Sequence, residues 1–163
     1  MVVLLVKNRG QILEIVDLII DFESDHKNEY TKSSIEILTS ELKSRILNLK
    51  DNVTKNISSS IELIRIGAIT MHLYNKLKKV QGQSEFNPIS FANFLWSKHK
   101  KYGAAPLTEV GTIGIAMRLI AKINRFINMQ TLANTLTGDD EDTLMDIIGY
   151  CVLGYTLMQV THG

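Results

Sequence analysis

One cysteine and two prolines are all that this 163-residue sequence holds of either type. With Cys151 alone, no internal disulfide can form, so the fold must rest on burial and hydrogen bonding. Cys151 lies in an apolar run and reads as a small buried hydrophobe, in keeping with a reducing compartment. Pro88 and Pro106 both fall in expected connections, which leaves long stretches open to helix. An excess of one charge is missing too. The formal net charge of +1 excludes a global pull toward nucleic acid or acidic membranes. Strand-type alternation is nearly absent. No HExxH, P-loop, dinucleotide glycine fingerprint or GxSxG occurs. The apolar start, Met1 to Val6, is only about a third of a membrane span. It has no basic residue ahead of it, so no signal peptide is expected. No other segment reads as a span, and the chain is expected to be cytoplasmic, with no membrane partner.

What is present is helical periodicity divided by polar punctuation. The spacing of Ile12, Ile15, Val16 and Ile19 predicts a helix over 10–22, followed by a charged loop from Asp21 to Asn28. A second helix is expected over 33–50, with Ser33 and Glu36 as a capping box and Ile35, Leu38, Leu42, Ile46 and Leu49 as its apolar stripe. Val53, Ile57, Ile61, Ile64, Ala68 and Met71 predict a third over 53–80. Its basic end, Lys76, Lys78 and Lys79, suits a helix C-terminus. After a loop at 81–87, Asn87 and Pro88 open a fourth helix that Gly103 ends. The last two are expected over 108–130 and 140–160, the latter capped by Asp139 or Asp140. The reading is an all-α helical bundle of five to six helices. It forms one domain over 1–163, with N-terminal helices to about 85 and the functional half from about 87.

Two stripes carry the chemistry. Arg118, Lys122 and Arg125 follow at steps of four and three, one face of a helix. Gly111 and Gly114 near its start would allow close helix approach. Asp139, Asp142, Asp146 and Tyr150 share a face of the last helix. Carboxylates one turn apart can hold a hard divalent cation, usually Mg²⁺, which in turn binds phosphate oxygens. In that reading Asp142 and Asp146 are metal ligands with Glu109 a third acid, and the basic stripe neutralises phosphate. In the competing reading, opposite charges on adjacent helices simply form salt bridges. Spacing permits both. His26, His72, His99 and His162 lack metal-ligand spacing and are expected mostly at the surface. The run Lys98-His99-Lys100-Lys101-Tyr102 is too short on a near-neutral chain to indicate nucleic acid.

The segments Lys98-His-Lys-Lys-Tyr-Gly103, Arg118-Leu-Ile-Ala-Lys122-Ile-Asn-Arg125 and Asp142-Thr-Leu-Met-Asp146-Ile-Ile-Gly-Tyr150 together resemble the nucleotide-modification-associated domain. That family, found in phages and bacteria, looks related to the all-α, MazG-like nucleotide pyrophosphohydrolases. The resemblance covers about residues 90–160. It implies a MazG-like helical fold in the C-terminal half, a homo-oligomer and a bound nucleotide. It further implies Mg²⁺-dependent cleavage of a nucleoside triphosphate to monophosphate and pyrophosphate. Arg118, Lys122 and Arg125 would then bind phosphate, and Lys98, Tyr102 and Tyr150 the rest of the substrate. The paired-glutamate motif of the pyrophosphohydrolases is missing, since Glu62, Glu85 and Glu109 are single, and Lys101 stands where the family often has an acid. No general base is identified. A protein that binds a nucleotide without cleaving it, and so sequesters a signal, is the alternative. A purely structural interaction bundle is a third.

Overall fold

Two helices are buried around most of their circumference, and the other helices are arranged about them. This computed structural model describes residues 3–57, 59–133 and 138–162. Its described residues form seven helices and no strand: α1 Arg9–Thr31, α2 Ile35–Thr54, α3 Ser60–Val80, α4 Pro88–Tyr102, α5 Ala105–Thr108, α6 Gly111–Ala133 and α7 Gly138–His162. The all-α expectation holds, with one short helix more than expected. In α3 every residue from Ile66 to Tyr74 is buried. In α7 Leu144, Ile147, Ile148, Cys151, Val152, Leu157 and Met158 point in several directions and are all enclosed. A helix apolar all round must be covered all round. α7 packs most extensively against α3 and α6, while α1 and α2 cover the remaining sides of α3. By length and composition, Gly138–Val160 would suffice to cross a bilayer, contrary to the reading of the sequence, yet most of it lies inside the bundle.

Close approach at this centre depends on missing side chains. A Cβ placed on Gly154 of α7 would lie 2.9 Å from Ile115 Cγ2 of α6 and 3.2 Å from Leu63 Cδ1 of α3. The branched Ile115 has little rotamer freedom with which to retreat. Cys151 is fully buried, and burial pushes its thiol pKa up, as expected of an inert core cysteine.

Four boundary readings differ from the sequence. The charged stretch 21–28 is not a loop, because α1 runs on through it. Phe22, His26 and Tyr30 stack along one face at centroid spacings of 4.1 and 5.9 Å. Glu23 turns inward to bond His72 Nδ1 of α3 at 2.9 Å, while Asp21, Asp25 and Glu29 face water. Second, 53–80 is not one helix. Asn56 adopts a positive φ of 61°, and Ile57 N–H donates to the Asn52 carbonyl at 2.9 Å, an end that asparagine tolerates well. Ile57 and Ile61 are consequently exposed. Third, the cap of α2 is Ser34, which accepts from Ile37 N–H at 3.2 Å, rather than Ser33. Residues Asp139 and Asp140 lie in the first turn of α7 and not at its cap, still near the positive end of the helix dipole. The α2 stripe and the Asn87–Pro88 opening of α4 stand as read. The basic end of α3 is tied to neighbours: Lys76 donates to the Ser33 carbonyl and Lys78 pairs with Glu141.

Replacing Gly154 by valine is expected to lower unfolding free energy by about 1–3 kcal/mol, the usual cost of overpacking. Gly138→Ala, with open space at its Cβ, should cost nothing. Urea denaturation of both variants checks the difference, and an unaffected Gly154→Val would contradict the packing at this crossing.

Candidate functional site

The C-terminal half of α4 and the middle of α7 face each other across a cleft of about 290 Å³. Each helix contributes residues at steps of three and four. Phe94, Leu95, Lys98, His99 and Tyr102 come from α4, and Met145, Asp146, Gly149, Tyr150 and Leu153 from α7. Arg118 reaches in from α6, and Pro106 and Leu107 of α5 close one end. The two main walls are therefore single helical faces. They meet where Leu95 packs on Gly149, whose Cβ, if present, would lie 3.3 Å from Leu95 Cδ1.

A backbone device holds α4 in place. Gly103, at φ 72°, ends the helix in the left-handed region that favours glycine, and its N–H bonds the His99 carbonyl at 2.8 Å. His99 is buried, contrary to the expectation of a surface residue. Its Nε2 accepts from the Leu5 N–H at 2.9 Å and the Val6 N–H at 3.3 Å. Ala104 N–H donates to the Val3 carbonyl at 2.7 Å. The segment 3–6 is thus strapped to the end of α4 beside the cleft. Accepting on Nε2 requires an unprotonated nitrogen. Burial, with help from Lys7, pushes the His99 pKa below its ordinary value. His72 is buried as well, against Glu23, and His26 is half-buried, while the side chain of His162 lies outside the described residues.

The charges divide. Asp146 lies between two helices, with Oδ1 3.3 Å from Lys98 Nζ and Oδ2 2.9 Å from Lys122 Nζ. Arg118 sits over the Tyr150 ring at 5.7 Å and donates to the Pro106 carbonyl at 3.3 Å. Lys98 also stands 4.7 Å from the centroid of Phe94. Of the expected phosphate-binding stripe, only Arg118 lines the cleft. Lys122 stands behind Asp146, and Arg125 is exposed beside a separate surface hollow with Asn124 and Asn128. Lys98, Tyr102 and Tyr150, the expected substrate contacts, all line the cleft.

The expected metal set is not brought together. Asp142 is exposed one turn from Asp146, Glu109 caps the C-terminus of α5 away from the cleft lining, and Asp146 is engaged by lysines. Among the described residues no three Asp, Glu, His or Cys side chains converge as a metal-binding group. Asp146, held by Lys98 and Lys122, is not presented as a free ligand for a cation. Gly111, with a positive φ of 66° and open space at its Cβ, serves a turn and not the helix packing expected of it, and Gly114 abuts Val110. Met145, Gly149 and Leu153 were not singled out by sequence. The repeat of their positions at steps of four along α7 was the available signal. Comparison with family models, with curated proteins and with solved structures finds no match to this chain.

Two outcomes check this geometry. His99 binds fewer protons folded than unfolded, so stability rises with pH across the interval between its two pKa values. It should be full above about pH 6.5, the unfolded value, and decline as pH falls from there toward the lower folded value. The His99→Gln variant, which keeps an acceptor that does not titrate, should flatten that segment of the pH dependence in urea midpoints. Separately, a double-mutant cycle of Lys122→Ala and Asp146→Ala should give a coupling of roughly 0.2–1 kcal/mol, the range for partly exposed pairs. Strict additivity would contradict the ion pair.

Proposed function

We propose that this protein binds a nucleotide in the cleft between α4 and α7 and does not cleave it. The observation that carries the reading is the convergence of Lys98 and Arg118 on a pocket walled by Tyr102 and Tyr150. A ligand with a flat ring at one end and an anion at the other matches such a lining. Aromatic walls receive the ring, and a guanidinium receives phosphate through paired donors. The volume is at the lower end of the roughly 300–1,000 Å³ common for small-molecule sites.

Binding without hydrolysis is favoured by the groups that face the cleft. Cleavage of a phosphoanhydride needs an activated water and a means of neutralising the leaving pyrophosphate. The lining carboxylate, Asp146, is held by two lysines, and the imidazole of His99 is committed to backbone N–H groups. A cytosolic protein of this kind acts by lowering the free concentration of its ligand, as a sequestering agent would.

The test is a thermal-shift panel of ribo- and deoxynucleoside mono-, di- and triphosphates, cyclic nucleotides and dinucleotides. At a hundredfold excess over Kd, one or more should raise the melting temperature by roughly 5–10 °C. The shift should survive EDTA, disappear in Arg118→Glu, and leave the nucleotide chemically unchanged on chromatography. A panel without any shift sinks the proposal, and release of pyrophosphate or phosphate refutes its non-catalytic component.

A further inference from the structure

Asp146 is the feature of the cleft that simple nucleotide binding does not explain. A carboxylate in a phosphate-binding pocket repels the ligand. Here it does more, because it holds Lys98 from α4 and Lys122 from α6, one on each oxygen. A carboxylate bridging two ammonium groups at a pocket wall stands where two oxygens of an incoming phosphate would stand. It also offsets the mutual repulsion of two lysines and an arginine gathered in one place.

Building on the nucleotide-binding reading, we infer that Asp146 is a built-in counter-ion which the ligand's phosphate displaces from Lys98, and that it sets the charge the cleft accepts. The two contacts are unequal. Lys122 makes the shorter one at 2.9 Å, and its side chain is 29% exposed. Lys98 makes the longer one at 3.3 Å, and its side chain is 46% exposed. Lys98 also has Phe94 beside it at 4.7 Å as an alternative support. Lys98 is therefore the group that turns to a ligand, while Lys122 keeps Asp146 in position. The exchange trades one charge-assisted contact for another, so little desolvation is needed at the moment of binding.

The charge balance then defines the ligand class. Lys98, Arg118 and Lys122 carry three positive charges and Asp146 one negative, leaving two positive. A phosphate monoester, at about two negative charges near neutral pH, is balanced by that remainder. A free triphosphate tail carries more negative charge than that remainder balances. The inferred ligand is a nucleoside monophosphate or a ligand presenting one terminal phosphate.

Orthophosphate and tripolyphosphate, followed by chemical-shift changes of cleft amides, test this without knowledge of the base. Wild type should bind orthophosphate weakly and tripolyphosphate no better. Asp146→Asn keeps the shape and removes the charge. It should tighten orthophosphate about tenfold, the effect of a pKa-unit-sized change in one charge interaction, and tighten tripolyphosphate more. Lys122→Met should do the opposite, since Asp146 is then left to Lys98 alone. Equal or weaker phosphate binding in Asp146→Asn overturns the counter-ion role, as does absence of binding to every variant. The nucleotide panel is read independently, so a nucleotide that stabilises wild type keeps the binding reading even when the counter-ion role fails.

Discussion

The covering of α7 is the constraint from which the rest follows. This helix presents apolar side chains in every direction, so each face needs a neighbour. α3 and α6 take most of its circumference, and Gly154 lets both come close. The middle of one face remains, from Met145 to Leu153, and α4 approaches it only where Leu95 meets Gly149. α4 is held elsewhere, packed on α1 and tied at its C-terminal end by the strap of residues 3–6. A cleft results because the helix that would close over α7 is anchored to a different partner. The position of the cleft is thus a consequence of core packing, and the residues that line it are helical faces that a closed bundle would have buried.

That origin explains the cleft's mixed character. Phe94, Leu95, Met145 and Leu153 are of the kind that a helix interface would bury, and they supply an apolar wall. The charged residues lie among them, and each is met by a protein group: Asp146 by two lysines, Arg118 by a carbonyl and an aromatic face. Half-exposed charges held in this way are positioned in advance, which lowers the ordering cost of binding. The neutral His99, which follows Lys98 directly in α4, has a related role. By receiving two backbone N–H groups it fixes the end of α4, and with it Tyr102.

The legibility of this arrangement in the sequence varies with the range of the interaction. The stripe of α2 and the start of α4 depend on nearest neighbours along the chain, and periodicity and capping residues are enough to find them. Residues 21–28 read as a loop when composition is weighed ahead of register. The positions Phe22, Glu23, His26 and Tyr30 keep helical spacing even though every residue from 21 to 28 except Phe22 is polar. The salt bridge from Lys122 to Asp146 joins two stripes that are each visible in the sequence, and of their two readings it realises the ion pair. Asp146 pairs as a structural bridge would, yet it does so at the wall of a cleft. The separation of Arg125 and Asp142 from that cleft is not visible, because a helical wheel shows which residues share a face but not how far along the axis a neighbour covers it. His99 escapes the sequence for a different reason. Its partners lie more than ninety residues away along the chain, and no local pattern encodes such a contact.

The same facts bear on whether this cleft does chemistry. A hydrolytic site keeps at least one group in reserve, a base or a metal position that the resting protein leaves able to act on water. Here the ionic groups facing the cleft are internally matched. In the proposed binding mode an anion meets a set of contacts to be exchanged, with Lys98 the most exposed of the paired side chains at the cleft. Exchange of counter-ions stabilises a bound ground state and provides nothing that strengthens as a bond breaks, which is the requirement for acceleration. On the reading proposed above, the arrangement suits a receptor for a small phosphorylated molecule, with its selectivity set by the charge that Asp146 subtracts.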